Sequence, residues 1–383
     1  MKKTNYYKIN GLIFLVILFS FFTINMFKSD SDKSELENRT LKKKPKFDID
    51  NIVSGRYQSK LESYINDQFF IRDNFIKLKS SSDSVTLKKE NNGIYFGKDD
   101  FLFEKISELN EERVNNNIDS IKKFMEQYND MNFYFELVPT SATIYKDKLP
   151  DNAPIVDEQL SEKEIKDKMP EKLKFISPYD SLVKNSEQYI YYKTDHHWTT
   201  LGAYLGYTDF CSEASIEPYT LDNYDCLEVT DSFYGTLFSK SLHSVKEPDK
   251  INIYLPKGED ERQNIVEYVD EKEVTGTFYD TSYLSKTDKY SVFFKSNHPL
   301  IKISTVAEGN KSIVIFKDSY ANSFVPFLTQ NYSKIYMVDP RYYCDNINDV
   351  MKEAGKEADV LFLYNYNTFA TDNNLCEVLS NYN

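Results

Sequence analysis

Two short stretches hold the residues best suited to chemistry. The first, TDHHWTTLGAY (residues 194–204), contains two of the four histidines and the only tryptophan of the 383-residue chain. An acid stands two residues before the second histidine. On a loop or extended turn, Asp195 and His197 project to the same side. The carboxylate can then reach Nδ1, fix the tautomer and stabilise an imidazolium. The second stretch, FKDSYANSF (316–324), puts Ser319 where the apolar run Ser312–Phe316 gives way to a helix-like pattern. A serine at such a strand-to-helix turn exposes its hydroxyl beside backbone N–H groups that can hold an oxyanion.

Each stretch also has a plainer reading. Ser319 could be a helix N-cap, a common role for serine. The Asp195-His196-His197 run could be a structural loop, with Thr199 or Thr200 capping a helix that begins at Leu201. It could also start a zinc site, but only His243 and His298 remain as further histidines, neither in H-E-x-x-H spacing. We therefore expect neither a metal nor a cofactor. Taken together, the stretches support each other. A serine nucleophile needs a base, and that base needs an orienting acid.

The surrounding elements decide whether the two can meet. Val114, Ile118, Ile121, Met125 and Tyr128 mark a helical stripe, followed by an apolar strand at 131–139. The same alternation returns near the C-terminus, with strands at 311–316, 333–340 and 359–367 separated by helical patterns. Strands alternating with helices predict a parallel sheet covered on both faces. Residues 92–104 carry turn signals between apolar runs and predict a hairpin. Residues 220–300, rich in Tyr, Thr, Phe, Asp and Ser, predict a β-rich insertion. The four cysteines, at 211, 226, 344 and 376, show no C-x-x-C spacing. Their even number permits two disulfides, and free thiols fit equally well.

The N-terminus is apolar in another way. Residues 11–27 contain 13 apolar residues of 17 and no charge, the short end of a membrane-spanning length. Lys2, Lys3 and Lys8 precede it as in an export signal, and no small-x-small cleavage site follows. We expect an uncleaved signal anchor over 1–28, with the large domain on the extracytoplasmic face. Lysines and an arginine between Lys28 and Lys46 argue the other way by the positive-inside count. Residues 29–90 read as a polar stalk and a packing helix with Tyr57, Leu61, Tyr64, Ile65 and Phe69 at helical spacing. Residues 91–383 read as the α/β domain with its insertion. A net charge of −13 repels phosphate backbones and argues against a nucleic-acid partner.

The motif pair, with the supporting stretches ENRTL, DQFFIRDNF and GIYFGKDDFLF, resembles the DHHW family. That family is itself similar to the SGNH-hydrolase-like alginate O-acetyltransferases, in which a D-x-H-W segment precedes the serine segment. The resemblance implies a three-layer SGNH-hydrolase-like fold in which Ser319 is the nucleophile, His197 the base and Asp195 its orienter. It implies an extracytoplasmic serine O-acetyltransferase acting on a cell-surface or exported polysaccharide. A membrane-bound O-acyltransferase would be the acyl donor partner. A carbohydrate esterase with the same residues and a non-catalytic anchored scaffold are the alternatives. Lys317 stands where classical SGNH enzymes carry glycine, and the separate glycine and asparagine blocks of their oxyanion hole have no clear counterpart. Tyr320, Asn365, His196 and Trp198 are the remaining candidates for oxyanion or substrate contacts.

Overall fold

Eight strands form the central sheet of the computed structural model: β1 (Asn132–Val138), β2 (Lys174–Ile176), β3 (Ile265–Tyr268), β4 (Glu273–Thr275), β5 (Leu300–Ser304), β6 (Ser312–Lys317), β7 (Lys334–Val338) and β8 (Asp359–Asn365). Their spatial order is β4-β3-β5-β7-β6-β8-β1-β2. The five strands from β7 to β2 are parallel, as the alternation of strands and helices requires. The other three, β5, β3 and β4, join antiparallel at one edge. The sheet is therefore mixed, not purely parallel. Part of the segment expected to be a separate β-rich insertion supplies that antiparallel edge. Another part forms a two-stranded ribbon, Tyr224–Phe233 with Asp249–Pro256.

The structure describes residues 2–49, 52, 54–85, 88–243, 245–258 and 263–380. Asp50 in the predicted stalk and residues 244 and 259–262 in the predicted insertion lie outside them. The chain divides into two compact units: Met1–Lys88 with Leu242–Ser244, and Lys89–Ser241 with Val245–Asn383.

In the larger unit, strands β1, β6 and β8 are buried almost end to end, the pattern of strands covered on both faces. Successive side chains alternate between those faces. On β1, Phe133 meets Phe124 of the Glu111–Gln127 helix, while Tyr134 meets Phe210 of the Thr200–Ala214 helix. The two helices thus cover opposite faces, and three layers result. Residues 90–104 form a small antiparallel sheet of three short strands. The four cysteines are free.

The smaller unit carries the helix Lys2–Phe27. Among the described residues it is the one helix long and apolar enough to cross a membrane, over Tyr6–Phe27, and none of that span is buried. The polar segment that follows it is tied down by ion pairs. Arg39 holds Asp67 at 2.5 and 2.9 Å, Arg72 pairs with Glu37, and Lys42 N–H donates to Asp67 at 2.8 Å. Hydrogen bonding from Arg39 pulls the Asp67 carboxyl down to about 2. The stretches ENRTL and DQFFIRDNF therefore meet as one ion-pair network beside the helices Arg56–Gln68 and Arg72–Val85.

Candidate active site

The loop before the Thr200–Ala214 helix is rigid because its backbone and polar side chains are bonded. Tyr191 and Trp198 form a β-bridge across it, and Thr199 N–H donates to Ile190 O at 2.9 Å. Buried Asp249 accepts from Lys193 N–H, Thr194 N–H and the Thr194 hydroxyl at 2.8, 2.7 and 2.5 Å. Thr199 caps the helix by accepting from Gly202 N–H at 3.2 Å. The glycine itself is required, since a Cβ there would lie 2.2 Å from Ile190 O.

At the centre of this loop Asp195 is 1% exposed, yet its carboxylate accepts four hydrogen bonds. Oδ1 takes His197 N–H at 3.0 Å, an Asx-type turn, and His197 Nδ1 at 2.5 Å. Oδ2 takes the N–H and hydroxyl of Thr236 at 2.7 and 3.1 Å. Burial works to raise this carboxyl, but His196, His197 and these bonds outweigh it and hold it well below the usual carboxylate range. Gly235 leaves the room the carboxylate needs, because a Cβ there would fall 2.2 Å from Asp195 Cβ.

Ser319 enters from the other motif. Strand β6 ends at Lys317, and the helix Ala321–Leu328 begins two residues after the serine. Asp318 pins the turn between them: its two oxygens accept Tyr320 N–H at 2.9 Å and Asn365 N–H at 2.8 Å. Half-buried Ser319 then lies with Oγ 2.7 Å from His197 Nε2. Because Nδ1 gives its proton to Asp195, Nε2 is the acceptor for the serine hydroxyl. Tyr290 stacks on the His197 ring, centroids 3.9 Å apart and planes 10° apart, and its hydroxyl donates to Ser319 O at 3.2 Å.

The structure thus brings together Ser319, His197 and Asp195. The other sequence candidates fall into supporting positions. Trp198 is fully buried and its indole N–H donates to Tyr320 O at 3.0 Å, so it braces the turn and cannot touch a substrate. Tyr320 is 2% exposed, its hydroxyl bonds His196 O, and its N–H is used by Asp318. Asn365 caps a short helix through Asn367 N–H, and its Nδ2 donates to Val138 O at 3.2 Å, leaving one amide proton. His196 turns its Nδ1 to Thr236 Oγ1 at 2.7 Å. Burial, then neighbouring His197, lowers its pKa to about 4.

Lys317 does not crowd the serine. It is wholly buried, with Nζ 3.0 Å from Asn297 Oδ1, 2.8 Å from Asn322 Oδ1 and 3.5 Å from Asp339. Burial lowers its ammonium to about 8 although Asp339 opposes the shift. Asp318, Thr236, Gly235 and Tyr290 also shape the site and are not among the residues the sequence singles out. Asp318 was visible as the residue before the serine, whereas Tyr290 and Thr236 sit in irregular segments whose spacing carries no signal.

Donor atoms of Asp195, His196 and His197 lie within 4.8 Å of one another, the spacing a cation would need. The Asp195 oxygens and both His197 ring nitrogens are engaged by hydrogen bonds, so an ion held by all three residues would have to displace Ser319 or break the Asp195–His197 bond.

The DHHW family model matches residues 113–338, and the chain belongs to that family. A DHHW family protein from Eubacterium siraeum shares the fold with a TM-score of 0.64 and 24% identity over 76% of this chain and 96% of its own. Bacillus cereus PatB1, solved with a sulfonyl adduct, gives 0.62 and 21% over 73% of this chain and 98% of its own. No curated protein sequence matches the chain.

Proposed function

We propose that this protein is a membrane-anchored serine O-acetyltransferase of SGNH-like fold that acts on an exported or cell-surface polysaccharide. The observation that carries this reading is the line of contacts from Asp195 to His197 to Ser319, at 2.5 and 2.7 Å. Those distances suit proton transfer between a hydroxyl and an oriented imidazole.

In the first half-reaction His197 Nε2 takes the Ser319 proton as Oγ attacks the acyl carbonyl of the donor. The imidazolium, stabilised by Asp195, returns that proton to the departing group and leaves an acyl-serine. In the second half, His197 removes a proton from a sugar hydroxyl. The sugar oxygen attacks the ester, and the proton passes to Ser319 Oγ as the acylated sugar leaves. Ser319 N–H makes no hydrogen bond among the described residues and is the nearest donor for the oxyanion. The remaining Asn365 amide proton is the second candidate.

Residues 1–28 would anchor the chain, and the α/β domain from about residue 91 would work on the extracytoplasmic face. A membrane-bound O-acyltransferase would deliver the acyl group there. The structural similarity to PatB1, a protein that has been solved with a sulfonyl adduct, fits a domain of this kind reacting with electrophiles. The test is to incubate the full chain in detergent with an activated acetyl ester, with and without oligosaccharide. Acetylated sugar as the main product supports transfer. Free acetate alone, whatever sugar is present, means a carbohydrate esterase instead.

A further inference from the structure

A polar cavity of about 530 Å³ opens beside the candidate active site. Asn92, Glu104, Lys240, His196, Asn365 and Asn367 are among the residues that line it, and no aliphatic, Phe, Tyr or Trp side chain does. In a chain with 30 tyrosines and 27 phenylalanines, a wall built of polar and charged residues suits a ligand recognised mainly by hydrogen bonds. Its charges cancel. Lys240 pairs with Glu104 at 2.6 Å, and Lys105 and Asp372 add one charge of each sign to the lining. The cavity also adjoins the reacting groups. The His196 ring lies 3.9 Å from that of His197, centroid to centroid. Asn365 N–H is bonded to Asp318, the residue before Ser319.

The hydrogen bonds around His196 fix what it offers there. Thr236 has one hydroxyl proton, and it goes to Asp195 Oδ2. His196 Nδ1 must therefore be the donor in its 2.7 Å bond to Thr236 Oγ1. The ring is neutral, and its Nε2, which makes no hydrogen bond among the described residues, is a bare acceptor. A sugar hydroxyl is the complementary group.

We infer that this cavity is the acceptor subsite, that it binds an uncharged oligosaccharide, and that His196 Nε2 accepts a hydrogen bond from one of the sugar hydroxyls. This rests on the acyl-serine reading for its place in the reaction but not for binding itself. With the lining charges balanced, no cation is left over for an acidic sugar, whose carboxylate would have to compete with Glu104 for Lys240.

The experiment is calorimetric titration of the full chain in detergent, with Ser319→Ala to prevent turnover. The probes are chitotriose, an uncharged sugar rich in amides and hydroxyls, and a uronate trimer. Chitotriose is expected to bind and to bind more tightly than the uronate. His196→Phe weakens it about tenfold, the scale of one lost hydrogen bond, and His196→Gln, which restores an acceptor, recovers most of the loss. Thr368→Trp fills the cavity and abolishes binding. Melting temperatures identify the folded variants. Equal binding by all folded variants, tighter uronate binding or no binding of either sugar would overturn the inference. Because Ser319 is already replaced, those results leave its nucleophilicity untouched, and a failure to acylate Ser319 leaves them standing.

Discussion

Trp198 Nε1–H donates to the carbonyl of Tyr320 at 3.0 Å, joining residues 122 positions apart. This bond ties the loop that carries His197 to the turn that carries Ser319. The indole also stacks on Phe324 in the helix that follows the serine. The two motifs are thus held in register by a residue that never faces solvent. The fixed geometry of the serine and imidazole follows from that packing, and it is why small disturbances near the site are expected to have large effects.

Asp195→Asn keeps the size of the side chain but can present an amide donor to Nδ1, forcing the wrong imidazole tautomer. Turnover of an activated acetyl ester is expected to fall by about 10⁴-fold, and the melting temperature to drop because a buried acceptor is lost while the variant still folds. A loss of less than tenfold in a folded variant would mean that Asp195 does not orient the base.

Gly235→Ala tests the same carboxylate from behind. The new Cβ would lie 2.2 Å from Asp195 Cβ and 2.5 Å from Oδ2, so the acid or the Thr236 segment has to move. A shift of this size is expected to cost about 10²-fold in ester turnover. A crystal structure of the variant should show Asp195 displaced. Unaltered kinetics would contradict the tight fit.

Lys317→Met removes the donor shared by Asn297 and Asn322, while Arg341 still grips Asp339 through bonds of 2.8 and 2.6 Å. Because Asp339 keeps a partner, the expected loss on chemical denaturation is about 1–3 kcal/mol, below that of an orphaned buried charge. A gain in stability would show that the methionine packs better than the polar cluster it replaces.

Glu158 gives a pH signature. Burial raises its carboxyl to about 7, against the bonds from Thr143 and Thr140 that pull it down, while an unfolded chain would hold it near 4.5. Between those values the folded state binds more protons. Its contribution is fully present below pH 4.5 and is lost as pH rises through 7. Glu158→Gln should flatten that part of the stability curve, as read from thermal melts between pH 4.5 and 7.5. An unchanged slope would place the pH dependence elsewhere.

The sequence revealed some parts of this molecule and hid others for identifiable reasons. Strands β1, β6 and β8 are largely apolar runs, broken inside only by Glu136, because both faces are covered, and such runs stand out in a sequence. The antiparallel edge did not, since β3 and β4 are four and three residues long and alternate only weakly. The polar start of the 29–90 segment reads only as a stalk because its order comes from Arg39 and Arg72 finding Asp67 and Glu37, a long-range pairing that local composition cannot express. At the site, Asp195 and His197 were legible from their spacing of two, and Ser319 from its strand-to-helix context. Thr236 and Tyr290 come from segments without periodicity and reach the site only through the fold. Trp198 stands out in the sequence as the one tryptophan, while its part in the site comes from its burial.

Every step of the proposed reaction requires Ser319 to carry the acyl group. The most direct test of that requirement is mass spectrometry of peptides from the full chain after exposure to a fluorophosphonate and, separately, to an activated acetyl ester. A single adduct is expected on the peptide containing Ser319, absent from Ser319→Ala and strongly reduced in His197→Ala. A folded wild-type protein that takes up no adduct, or takes it up on another residue, would contradict it.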